Sequence, residues 1–247
     1  MKNLTILKFG GTSLNSDKKI ETIIKIINEK LAKNEKLVVV VSAIGRTPSS
    51  YATDTILSTI DSKYQESHKQ ETDLLMSCGE TIASVIIASK LANKGLNTIP
   101  VTALKMGIIT DNNYGSATPI KYKPKYLKTL LKQNKIPIIT GFQALTKDNH
   151  ITTIGRGGSD TTATILADML NASKIEIYTD VNGVYDKDPQ KYKNAKFYEH
   201  LTYKNAQELS DSGAKIIHKN AIKYAQNKKI PIIVRNINLN NKKTIIN

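Results

Sequence analysis

"KLVVVVS", residues 36–42, sets four valines in a row between Leu37 and Ser42. A strand with one wet face alternates apolar and polar residues. An unbroken β-branched run reads as a strand covered on both faces, the pattern of a parallel sheet sandwiched between helices. The flanks agree. "DKKIETIIKIINEKLAK" (17–33) repeats Ile20, Ile23, Ile24, Ile27 and Leu31 at helical spacing, and before it "LTILKF" (4–9) is a short apolar strand that stops at Gly10-Gly11. Downstream the alternation continues. A long helix is expected over 71–94, interrupted only by Gly79, then strands at 97–102 and 136–140 with a helix at 121–133 between them. A helix at about 160–171, a strand at 174–179, helices near 203–210 and 214–227 and a strand at 230–235 complete the chain. Strands separated by helices predict an α/β fold with a mostly parallel sheet. The sequence holds no internal repeat and no low-complexity linker, so a single domain over 1–247 is expected, with a weak boundary after about residue 140.

Composition narrows the function classes. The formal net charge is +15, which alone would favour a nucleic-acid partner, but the basic residues are spread along the whole chain rather than clustered. Of 36 lysines and arginines only Arg46, Arg156 and Arg235 are arginine. Where lysine is the default cation, a surviving arginine marks a place that needs a planar fork of donors. No run of about 18 apolar residues is found, so neither a membrane span nor a membrane partner is expected. The N-terminus lacks a signal-peptide pattern. The single cysteine, Cys78, excludes an internal disulfide and suits the cytoplasm; it reads as a small buried residue. His68, His150, His200 and His218 show no metal-ligand spacing, and no Ser-His-Asp or Cys-His arrangement is found.

In an open α/β sheet, ligands sit at the carboxyl ends of the strands. Here those ends read Lys8-Phe9-Gly10-Gly11-Thr12-Ser13, Ser42-Ala43-Ile44-Gly45-Arg46-Thr47, Thr140-Gly141-Phe142 and Tyr178-Thr179-Asp180. Glycines after a strand let backbone N–H groups approach an anion, and Lys8 adds a point charge. "ITTIGRGGSDTTATILADML" (151–170) places Arg156 among three glycines just before a helix, with Ser159 or Asp160 as the expected N-cap. A guanidinium beside a helix N-terminus suits a carboxylate held by two parallel hydrogen bonds. In "CGETIAS" (78–84), Glu80 is either a solvated glutamate or a carboxylate facing an ammonium. "TDVNGVYDKDPQ" (179–190) is either a β-hairpin or a loop around a nucleotide base, and Lys215 in "SGAKIIHKNA" (212–221) is either exposed or within reach of phosphate. No GxxxxGK[ST] loop is present.

Taken in order, "KFGGTS", "VSAIGRT", the helical "GE", "GF", "TIGRGGSDTTA", "TDVNGVYDKDP", "GAKIIH" and "IPIIVR" resemble the catalytic domain of aspartokinases, members of the amino-acid kinase family, over about residues 2–246. The resemblance implies a three-layer α/β/α sandwich around a mainly parallel sheet. It implies phosphorylation of the side chain of L-aspartate by ATP with Mg²⁺, giving 4-phospho-L-aspartate on the way to lysine (through diaminopimelate), threonine and methionine. It implies that Arg156 holds the aspartate α-carboxylate and Glu80 the α-ammonium, with Thr47, Phe142 and Ser159 shaping the pocket. Lys8 would sit between the substrates, oriented by Asp160. Thr179, Asp180, Tyr185 and Lys215 would bind ATP, Lys215 sharing a catalytic role with Lys8 and Asp160, while Gly10, Gly11, Gly157 and Gly158 direct N–H groups at phosphate. No dedicated protein metal site is expected. Residues up to about 140 would carry the aspartate side and residues from 141 the ATP side. Two positions depart from the pattern: Gln190 replaces an arginine after Asp-Pro, and His218-Lys219 replaces His-Pro. Aspartokinases continue into ACT domains, whereas this sequence stops at "KKTIIN", so an ACT-free domain is expected, acting as a homodimer or beside a separate regulatory chain.

Overall fold

The computed structural model describes residues 3–189, 191–212, 217–238 and 242–247. The expectations placed on Gln190, Gly213 and Lys215 lie outside the described residues. From the N-terminus the chain runs through β1 (Leu4–Phe9), α1 (Asp17–Leu31), β2 (Lys36–Val41), α2 (Thr53–Leu57), α3 (Ser62–Ser67), α4 (Lys69–Ala92), β3 (Thr98–Val101), α5 (Ala103–Met106), β4 (Ile108–Thr110), β5 (Pro119–Tyr122) and α6 (Lys125–Lys132). It continues through β6 (Ile136–Thr140), β7 (Gln143–Leu145), β8 (Ile151–Thr153), α7 (Gly158–Leu170), β9 (Lys174–Thr179), β10 (Val184–Tyr185), β11 (Phe197–Tyr198) and β12 (His200–Leu201). Last come α8 (Tyr203–Asp211), α9 (Lys219–Lys228), β13 (Ile232–Asn236) and β14 (Lys243–Ile246).

Eight strands form the central sheet in the order β12-β14-β13-β9-β1-β2-β6-β3, parallel throughout except for the β13–β14 pair. The valine run behaves as its composition requires: all of Val38 to Val41 are fully buried. Alternate residues serve opposite cores. Leu4, Ile6, Val38 and Val40 pack with Leu127 and Leu130 of α6, Ala163 and Leu166 of α7 and Ile222 of α9. Leu7, Phe9, Leu37, Val39 and Val41 pack with Ile20, Ile23 and Ile27 of α1 and with Ala83, Ile87 and Leu91 of α4. Helices thus cover both faces, and the α/β/α sandwich follows from the side-chain period of two in strands that are dry on both sides. By length and composition α4 could cross a membrane, but it is a core helix whose buried residues include Asp73 and Glu80.

A polar seam runs through the α1 side. Lys30 Nζ lies 2.5 Å from Glu176 Oε1, the Tyr178 hydroxyl donates to Glu176 Oε2 at 2.8 Å, and the Thr5 hydroxyl donates to Glu35 at 2.6 Å. Burial pushes the Glu176 carboxyl up, and Lys30 with Tyr178 more than reverses this, leaving it below its usual value. Tyr178 in turn stacks on Phe9 at 4.9 Å and lies under the Arg235 guanidinium at 5.9 Å.

The remaining strands depart from the sequence expectation. The helix expected over 121–133 is divided: Lys121 and Tyr122 pair with β4, and the helix opens only after Pro124, which caps it where a missing N–H costs nothing. Strands β5, β4, β7 and β8 form a second, four-stranded sheet of segments too short to show a period. Asn182-Gly183 is not the tip of a hairpin. It leads into β10, which pairs with β11 after an excursion of about ten residues.

Leu7 is fully buried in the central strand against α1 and α4. Leu7→Ala is expected to lower the unfolding free energy by about 2–5 kcal/mol in a denaturant titration. A loss under 1 kcal/mol would contradict this packing.

Candidate functional site

Strands β9, β1, β2 and β6 are adjacent and parallel, so their carboxyl ends open onto one side of the molecule. The loops that follow them enclose a cleft of about 640 Å³. Its floor is the turn after β1. Gly10 N–H donates to the Tyr178 carbonyl at 3.4 Å, and Gly45 N–H donates to the Gly11 carbonyl at 3.0 Å. A Cβ on Gly11 would stand 2.2 Å from the Ala43 carbonyl oxygen, so only glycine lets the first two loops approach this closely.

One wall is the start of α7. Gly155 and Gly157 have φ of +78° and +67°, which bend the chain so that the helix begins at Gly158. The N-cap is Gly157, with no side-chain cap bond, which corrects the expectation that Ser159 or Asp160 caps the helix. Both lie inside the first turn instead, free for other work. Asp160 Oδ1 is 2.6 Å from Lys8 Nζ, and the two side chains are only 14% and 12% exposed. Ser159 is buried against Gly141, where a Cβ would come within 2.6 Å of Ser159 Oγ. Phe142, at φ +70°, donates its N–H to Thr162 Oγ1 at 3.0 Å, which fixes the strand-end loop to the helix. Exposed Arg156 borders the same space.

The opposite wall comes from α4. Glu80 is 3% exposed; one oxygen accepts the Ala43 N–H at 3.1 Å, and the other has no hydrogen-bond partner. Burial pushes its carboxyl up to about 7. Two turns earlier, buried Asp73 accepts from the N–H groups of Gly115 and Thr153 and from the Thr153 hydroxyl, which anchors the 112–117 loop at the cleft edge. The sequence carried no motif for Asp73.

Of the candidate residues, Lys8, Gly10, Gly11, Glu80, Phe142, Arg156, Gly157, Gly158, Ser159, Asp160 and Thr179 line the cleft. Thr47, Asp180 and Tyr185 do not. Thr47 is exposed in the loop beyond Arg46, Asp180 stands at the mouth, and Tyr185 packs on Phe197 in the β10–β11 ribbon at 5.3 Å. Thr12, Ser42, Arg46, Asp54 and Met76 also line the space. Arg46 was visible as one of three arginines, whereas Asp54 and Met76 sit in helices with no signal around them. Cys78 is exposed rather than buried: at 100° per residue it turns to the outer face of α4 while Ser77 and Glu80 face inward. Among the described residues no group of three or more His, Cys, Asp or Glu is placed to hold a metal ion.

Residues 3–236 match the sequence model of the amino acid kinase family. Aspartokinase 1 of Bacillus subtilis (strain 168) is 39% identical over 98% of this chain, and the match covers 60% of its own length. The chain therefore spans less than two thirds of that curated relative. Aspartate kinase from Synechocystis superposes with a TM-score of 0.82 at 30% identity, over 98% of this chain and 39% of that one. Escherichia coli aspartokinase III, solved with aspartate and ADP, has the same fold, with a TM-score of 0.83 at 24% identity over 98% of this chain and 64% of its own.

The raised carboxyl of Glu80 has a consequence for stability. Its folded value, about 7, lies above the ordinary 4.5, so the folded protein holds this proton more tightly than the unfolded chain does. The resulting stabilisation is complete below pH 4.5 and is lost as the pH rises through about 7, amounting to about 3 kcal/mol in all. Glu80→Gln is expected to flatten that part of the pH–stability curve. Parallel curves for the two proteins would show that Glu80 does not titrate in this range.

Proposed function

The chain belongs to the amino acid kinase family, and on that premise we propose that it transfers the terminal phosphoryl group of ATP to the side-chain carboxylate of L-aspartate. The observation that carries this reading is Glu80: a carboxylate almost without solvent, one oxygen unpartnered, opening on the cleft that Lys8 and Arg156 also line. A buried acceptor of this kind calls for a cation, and the α-ammonium of an amino acid supplies one. Arg156, facing the same space, would take the α-carboxylate. Phe142 and Ser159 would close the pocket around the side chain, with Thr47 at its rim.

The chemistry suits a site without a general base. The acceptor carboxylate has an ordinary pKa of about 4 and is already ionised at neutral pH. It would attack the γ-phosphorus, forming a carboxyl–phosphate bond as the bond to the β-phosphate oxygen breaks and ADP leaves. The obstacle is that two anions must meet, so catalysis lies in positioning and charge stabilisation. Lys8, held by Asp160, would spread its charge over the transferring group. Gly11, Gly157 and Gly158 would direct N–H groups at phosphate oxygens, Gly10, whose N–H is taken by the Tyr178 carbonyl, would let the phosphates approach the turn closely, and Thr179, Asp180 and Tyr185 would hold the rest of the nucleotide. Lys215 is kept as a further phosphate contact by the resemblance alone. Mg²⁺ would arrive with the nucleotide, held by phosphate oxygens and water, since the Asp160 carboxylate is taken by Lys8. The product would be 4-phospho-L-aspartate, the first intermediate toward lysine, threonine and methionine.

Aspartate-dependent ADP release, with the acyl phosphate trapped by hydroxylamine, is the direct test. Release with glutamate, acetylglutamate or UMP instead of aspartate would overturn the acceptor. Arg156→Lys is expected to lower kcat/KM for aspartate by about 1.5–3 kcal/mol of transition-state stabilisation while leaving ATP affinity unchanged, because an ammonium cannot form the two-pronged bond. An unaltered kcat/KM would remove Arg156 from the acceptor site.

A further inference from the structure

The site as described leaves one arginine without a task. Arg46 lies one residue past Gly45, whose N–H bonds the Gly11 carbonyl, so its backbone is fastened to the glycine turn at the cleft floor. Strands β9, β1 and β2 are neighbours, and the Arg46 side chain reaches from the loop after β2 to the loop after β9. There Nη2 stands 3.7 Å from Asp180 Oδ2. The contact is loose: it uses one nitrogen of a group with five donors, and the side chains are 72% and 39% exposed. Exposed pairs of this kind add little to stability. The acidic partner is the better anchored of the two. Asp180 Oδ1 accepts the Thr179 hydroxyl at 3.1 Å, and its backbone carbonyl accepts from Asn236 Nδ2 at 3.2 Å. The arginine is the half of the pair that can leave.

We propose that Arg46 is a further nucleotide-contacting residue, parked on Asp180 across the cleft mouth and transferred to the terminal phosphates when a nucleoside triphosphate binds. The proposal rests on the kinase reading of this cleft and goes beyond the residues the family resemblance supplied. A planar fork matches two phosphate oxygens, and polyphosphate carries far more charge than a half-exposed carboxylate. Residue usage points the same way: in a chain of 36 lysines and arginines with only three arginines, Arg46 and Arg156 both line this cleft. Movement of Arg46 would also uncover Asp180 for the ribose or a phosphate-borne cation.

The test is calorimetric titration of the wild-type protein, Arg46→Ala and Arg46→Lys with ATP, ADP and inorganic tripolyphosphate in magnesium, beside the assay of ADP release. Arg46→Ala is expected to weaken ATP and tripolyphosphate by about tenfold or more and ADP by less, since one charge-assisted bidentate contact is lost. Arg46→Lys should recover only part of that loss. The KM for aspartate should stay within about twofold and the unfolding midpoint should not move, which separates phosphate contact from a structural role. Equal affinities of wild type and Arg46→Ala for ATP and tripolyphosphate would overturn the proposal. If phosphate binding depends on Arg46 but aspartate yields no ADP, the acceptor assignment fails and the role of Arg46 stands. If the wild type binds neither ATP nor tripolyphosphate, both fall.

Discussion

A charged side chain at the end of a fully dry strand must be paired, and in this protein the pair is Lys8 with Asp160. β1 carries Leu4, Ile6, Leu7 and Phe9 at zero exposure, and Lys8 emerges among them onto the α7 side. An uncompensated ammonium there would cost several kilocalories. The first turn of α7 supplies the carboxylate, and to deliver it the chain has to bend through Gly155 and Gly157 at positive φ. That bend places Arg156 at the cleft, sets Ser159 against Gly141 and brings Thr162 to the Phe142 N–H. One ion pair therefore ties the central strand, the second glycine turn and the β6 loop into a single arrangement.

Beneath the cleft, polar contacts do a quieter job. Tyr178 contributes its backbone carbonyl to the Gly10 turn and its ring to the stack on Phe9, while its hydroxyl is held by Glu176, itself held by Lys30. The floor of the site is thus fastened from the far side of the sheet, through α1. The cleft above is assembled from opposed charges: Lys8 with Asp160, Arg46 with Asp180, and Glu80 with an oxygen left over.

Much of this was legible in the sequence because it rests on strong local patterns. Four buried valines can only be a strand covered twice, and glycines at successive strand ends mark where chains approach closely. What escaped was set by tertiary contact. Glu80 carried two readings, and only its burial and its unpaired oxygen favour the second. Asp73 gave no signal because its three donors come from residues about 40 and 80 positions away. Ser159 looked like a cap by composition, yet Gly157 took that position because the loop needs a left-handed residue there. Cys78 looked buried by residue type, but helical phase decided otherwise. The strands of the smaller sheet are three or four residues long, too short for any periodicity to accumulate.

The sharing of β1 and β2 between two cores bears on how errors are excluded during assembly. In a sheet with one wet face, a strand that slips by one position spoils one layer and can find relief in water. Here a one-residue slip of β1 would exchange the contents of both layers at once and swing Lys8 away from Asp160 into the leucine and isoleucine packing of α1 and α4. Neither layer could compensate for the other, and the stranded ammonium would add its own penalty. The catalytic candidate and the alignment of the central strand are thereby checked by the same residue: a chain misaligned at β1 loses its cleft and its stability together, which leaves no well-folded but inactive form along that coordinate.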